Sequence, residues 1–114
     1  MNPAAEHKLV INTSDLYNNP EDSDAKIKLR TGGIIFAHKI ILKKASDVLR
    51  AALSIGLSET YSGEIEFAEY SDEVVTNMIK YIYGEVIYPE KLSFSNWRNL
   101  FEFSNYLQIG TIIP

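Results

Sequence analysis

The chain has 114 residues, no cysteine, and 11 basic against 15 acidic side chains, for a net charge of −4. That length builds one core, and the missing thiols exclude a disulfide scaffold, a thiolate nucleophile and a Cys-based zinc site. The acidic balance leaves no electrostatic footprint for a phosphate backbone. Apolar residues make up 46% and charged residues 23%, the proportions of an ordinary globule. No apolar run approaches the roughly 20 residues that cross a bilayer. Met1 to Glu6 lacks the basic and apolar regions of a secretion signal. The expected location is the cytoplasm, with the nucleus as the alternative.

Along the chain, His7 to Ile11 is short and apolar and reads as a strand. Ser14 is placed to cap a short turn through Asp15, Leu16 and Tyr17. Asn18 to Asp24 (NNPEDSD) is a turn cluster. Ala25, Ile27 and Leu29 then alternate with Lys26, Lys28 and Arg30, which predicts a strand with one dry face and one basic face. Thr31-Gly32-Gly33 is a hairpin connection, and Ile34 to Ala37 is the return strand.

From Lys39 the period changes. Ile41, Ala45, Val48, Leu49, Ala52 and Leu53 fall on one stripe of a single helix that Gly56 ends. Glu64 to Phe67 reads as a third strand. Ser71 caps a helix that carries Asp72 and Glu73 in its first turn and Val74, Val75, Met78, Ile79 and Ile82 on its apolar face. Gly84 stops it. Val86 to Tyr88 reads as a further short strand. Ser95 caps a last helix bearing Trp97, Leu100, Phe101 and Leu107, which Gly110 breaks. The apolar Ile112-Ile113 marks either a cut from a longer protein or a tail docked on the core. This order predicts an α+β domain.

Four stretches, in order, carry a resemblance. Asp24-Ala25-Lys26-Ile27-Lys28-Leu29 with Phe36-Ala37-His38-Lys39, Ile41-Leu42 and Ala45-Ser46 resembles the opening of the BTB/POZ family, with the spacing around Phe36 one residue shorter. Glu64-Ile65-Glu66-Phe67 is similar to the family's third strand. Met78 to Glu85 (MIKYIYGE) resembles its "L-L-x-F-I-Y-T-G-E", with one residue missing before the glycine. Phe103 to Ile109 (FSNYLQI) resembles the closing "A-A-x-Y-L-Q-I/M". The resemblance runs from about Asp24 to Ile109.

It implies a small mixed β-sheet flanked by a cluster of α-helices. Residues 1–20 become an N-terminal extension with a short helix, in which His7 to Ile11 is either a strand swapped across the dimer or a disordered arm, and residues 21–114 the BTB/POZ domain. It further implies a protein–protein interaction domain that forms a homodimer and serves as adaptor for a cullin-3-type ubiquitin ligase. Asp24 and Lys39 fall where many family members place an acid and a base at the two-fold interface. Leu9, Ile11 and Leu16 join that interface, the first two through the swapped strand. Leu57-Ser58-Glu59 resembles the apolar-x-Glu motif of cullin-3 binders, with Tyr61 beside it. Tyr83 and Tyr88 either flank that site or, in the case of Tyr83, belong to the core.

Other readings stand beside these. Asp24 and Lys39 also fit a solvated turn and a solvated surface, and Leu57 also fits a loop residue folded back on its helix. His38, with no cysteine or carboxylate at ligand spacing, reads as a packed structural residue. The same fold also serves as an oligomerisation or corepressor-recruiting module of transcription regulators. No phosphate loop, triad or metal-ligand cluster is present in the sequence. The expectation is therefore no catalysis, cofactor or metal, and no nucleic-acid, membrane or small-molecule partner.

Overall fold

The computed structural model describes residues 12–54 and 63–109. The chain opens with a 3-10 turn, Thr13–Leu16, capped by the Asn12 side chain, which accepts the Ser14 amide hydrogen. Asn12 thus takes the role expected of Ser14.

Strands β1 (Ala25–Lys28) and β2 (Ile34–Ala37) form the antiparallel hairpin. Gly32 turns it at φ 102°. Strand β3 (Glu64–Glu66) adds to the other side of β1 in parallel, so the sheet is mixed, in the order β2-β1-β3. Period-2 alternation turns Ala25, Ile27, Ile35 and Ala37 inward. On the outer face the register sets Lys26 opposite Glu64 and Lys28 opposite Glu66, pairs of opposite charge worth about 0.2–1 kcal/mol each.

The single helix expected from Lys39 is two helices, α1 (Lys39–Ala45) and α2 (Asp47–Ser54). Ser46 sits between them with extended backbone. Its hydroxyl donates to the Leu107 carbonyl at 2.6 Å and accepts the Leu49 amide at 3.1 Å. One buried side chain therefore caps α2 and ties it to the last helix.

Helix α3 (Asp72–Ile82) begins where expected, with the Ser71 hydroxyl accepting the Val74 amide. Helix α4 (Phe94–Tyr106) is capped by Ser93 and not by Ser95, since the Ser93 hydroxyl accepts the Asn96 amide. Val86 to Tyr88 forms no strand. Only the 3-10 turn Pro89–Lys91 lies between α3 and α4.

The core fills the space between sheet and helices. Leu42, Leu49 and Leu53 meet Val74, Val75, Met78 and Ile79 of α3 and Leu100, Phe103 and Leu107. Phe67 packs edge-on to Phe103 at 4.9 Å, and Tyr70 stacks on the same ring at 4.5 Å. Each such pair adds about 0.5–1.5 kcal/mol beyond its buried area. The hairpin tip is tied to the β3–α3 connection by Arg30, which donates to the carbonyls of Ala68 and Glu69, and by Thr31, which bonds the Asp72 carboxylate.

Candidate functional site

Of the residues singled out in the sequence, Asp24, His38, Lys39 and Tyr83 converge where the hairpin hands over to α1. A helix start leaves amide hydrogens without intrahelical partners. His38, at the cap position of α1, makes no side-chain cap bond. Asp24 supplies it from the loop before β1: its carboxylate accepts the Lys39 amide hydrogen at 2.7 Å. Asp24 and Lys39 are thus brought together, joined through the Lys39 main chain. Next to Asp24, the Ser23 hydroxyl lies 2.9 Å and 2.8 Å from the carbonyls of Ala25 and Ala37 and holds the open end of the hairpin.

Close approach here depends on a glycine. Gly63 has φ 66°, and a Cβ there would stand 2.3 Å from the Asp24 carbonyl oxygen. No sequence motif points to that contact.

Beneath Asp24, His38 is buried, as its structural reading required. Its Nε2 is 3.1 Å from the Glu21 carbonyl, its Nδ1 is 2.8 Å from the Tyr83 hydroxyl, and its backbone N–H donates to that hydroxyl at 2.8 Å. A carbonyl only accepts. The network therefore assigns the hydrogen of the neutral ring to Nε2, and Nδ1 accepts from Tyr83. Tyr83 is wholly buried, and so belongs to the core. Burial, together with the Asp24 charge, pushes its phenol up to about 12 against the counter-effect of the His38 amide.

Tyr83 also anchors the N-terminal turn. Thr13 donates to its carbonyl at 2.9 Å, and the Tyr17 ring meets its ring edge-on at 6.2 Å. This holds Thr13–Leu16 alongside α1 and leaves a groove of about 620 Å³ lined by Leu16, Ile40, Ile41, Ala45 and Ile82, with Thr13 and Lys44. Leu16 lies in it as a half-buried residue. Ile40 is 69% exposed, an apolar side chain held at the groove in water.

Ile40 and Ile82 are residues that sequence reasoning missed. The signal for Ile40 was present: Ile40-Ile41-Leu42 is three apolar residues in a row, and a helix turns only part of such a run toward one core. Ile82, assigned to the core face of its helix, does pack against the core and also lines the groove. Leu9, Ile11, Leu57, Glu59 and Tyr61 lie outside the described residues. Tyr88 is 50% exposed, with Lys91 over its ring at 4.8 Å.

Among the described residues no group of three His, Asp or Glu side chains is placed to hold a metal ion, and no helix is long and apolar enough to cross a membrane. The family model for the BTB/POZ domain matches residues 13–114. No curated protein matches the chain.

Proposed function

The chain belongs to the BTB/POZ family of protein–protein interaction modules, and on that premise we propose that it pairs with a second copy of itself and presents the pair to a cullin-3-type ubiquitin-ligase scaffold. The observation that supports pairing is the apolar groove between the N-terminal turn and α1, with Ile40 standing in it largely exposed. Apolar side chains so placed favour burial against a partner. An isologous contact lets one groove serve both copies. Asp24 and Lys39, joined at the start of α1, lie beside Ile40. Leu9 and Ile11 would add a strand exchanged between copies.

The cullin reading rests on Leu57-Ser58-Glu59, with Tyr61, in the stretch between α2 and β3. An apolar anchor with a polar neighbour is the pattern of a docking hot spot. Dimerisation would raise the effective concentration of whatever the pair holds. Sedimentation of the purified chain tests pairing, with a mass of twice 12.9 kDa expected. Binding to cullin-3, abolished by Leu57→Asp, tests docking. A wild-type chain that shows no contact with cullin-3 removes that reading and leaves the pairing reading intact.

A further inference from the structure

The tip of the hairpin lies at the far end of β1 and β2 from Asp24 and Lys39. Residues 30–34 are exposed there in succession. Thr31 stands among them with Lys26, Lys28 and Arg30 in the five positions before it. We propose that Thr31 is a phosphorylation site, read by a protein kinase that selects basic residues ahead of its acceptor, and that the phosphate releases the hairpin tip from the β3–α3 connection.

Pattern and exposure together single out this hydroxyl. Kinases of this kind recognise their substrates by the charge pattern around the acceptor. Strand β1 is extended, and its alternation turns Lys26 and Lys28 to the outer face of the sheet. No other serine or threonine of the chain has more than two basic residues in the five positions before it. The nearest rival is Ser46, which follows Lys43-Lys44-Ala45. Ser46 is 2% exposed, and its hydroxyl is bonded to the Leu107 carbonyl. The folded chain therefore offers Thr31 and withholds Ser46.

The consequence follows from what holds the tip. The Thr31 hydroxyl bonds the Asp72 carboxylate, and the Thr31 amide donates to the same group at 3.4 Å. Arg30 donates to the carbonyls of Ala68 and Glu69, each at 3.1 Å. Phosphoryl transfer forms a bond between Thr31 Oγ and the γ-phosphorus of ATP while the bond to ADP breaks, and the hydroxyl proton leaves to the kinase's base. A donor hydroxyl thereby becomes an ester of charge about −1.5 to −2 with three acceptor oxygens. Asp72 and Glu73 already fill the first turn of α3, so the new anion meets like charge there. Arg30, its neighbour in sequence, pairs with the phosphate and gives up the two carbonyls. Both ties at the tip are exchanged in one step.

The test is to incubate the folded chain with ATP and the catalytic domain of protein kinase C, which selects basic flanks, or an acid-directed casein kinase, and to map the phosphate by mass spectrometry. The first kinase should modify Thr31 and leave Ser46 bare, and the second should leave Thr31 bare. Thr31→Val should remove the signal, and Lys26→Ala/Lys28→Ala should slow the transfer. Phosphorylation should speed amide exchange at Thr31 to Ile34 and Ala68 to Asp72 by about tenfold or more, the effect of losing one or two hydrogen bonds. Asp72→Asn should shrink that increase, because it removes the repelling charge. No phosphate on Thr31, equal modification by the acid-directed kinase, or modification of Ser46 alongside overturns the proposal. So does transfer indifferent to Lys26 and Lys28, or unchanged exchange at the tip.

Discussion

The hydroxyl of Tyr83 stands 2.8 Å from both the backbone nitrogen and the Nδ1 of His38, and so joins the end of α3 to the start of α1. Both residues are buried, so neither partner has water as a substitute. Tyr83→Phe keeps the ring and strands two polar groups of His38. It should lower unfolding free energy by about 1–3 kcal/mol, read as a lower urea midpoint at unchanged slope.

The same phenol gives a pH signature. Its folded pKa, about 12, lies above the ordinary value of 10 because burial disfavours the phenolate. The native state therefore keeps this proton where the unfolded chain has lost it. The contribution is fully present below pH 10 and disappears as pH climbs toward 12, at about 1.4 kcal/mol per pH unit. Tyr17 and Tyr70, also raised by burial, act in the same direction. The stability gap between wild type and Tyr83→Phe should narrow over this range. A constant gap from neutral pH to pH 12 contradicts the assignment.

Asp24 acts on α1 through an acceptor oxygen, which asparagine also has. Asp24→Ala should cost about 1 kcal/mol, the usual loss of a helix cap, and Asp24→Asn a fraction of that. Thermal unfolding of the pair separates the cap from the charge. Equal losses would show that charge, and not the Lys39 amide bond, is what α1 needs.

Two glycines should rank in a fixed order. Gly63→Ala drives a methyl onto the Asp24 carbonyl oxygen and strains a left-handed backbone. Gly84→Ala, at φ 92°, meets only the Thr13 hydroxyl at 3.2 Å. The first should cost about 2–4 kcal/mol. The second should cost less and chiefly loosen the N-terminal turn, visible as faster amide exchange at Ser14 to Tyr17.

Where local pattern alone decides structure, the sequence was legible. The alternation of Ala25 to Leu29, the glycines after it, and Ser71 with its acidic first turn all specify their elements without help from the rest of the fold. Where tertiary contact decides, it was not. The apolar stripe from Ile41 to Leu53 runs on through Ser46, and the break follows from the Ser46 hydroxyl reaching Leu107, 61 residues away. Val86 to Tyr88 has the composition of a strand, but no strand among the described residues pairs with it. Ser93 and Ser95 are equivalent as caps by type; the helix starts at the earlier one, directly after Leu92, which packs against the core. For the candidate site, Asp24, Lys39 and Leu16 were readable through the resemblance. Ile40 and Ile82 were not singled out, because the groove exists only once the N-terminal turn is pinned to Tyr83.

The most direct test of the account is the mass in solution of wild type, Ile40→Asp and Phe94→Asp by light scattering. Both residues are exposed apolar side chains, 69% for Ile40 and 81% for Phe94, so both variants should fold. Only Ile40 lines the groove. The account predicts a dimer for wild type and Phe94→Asp, and a monomer for Ile40→Asp. A monomeric wild type, or an Ile40→Asp chain that remains a dimer, contradicts it.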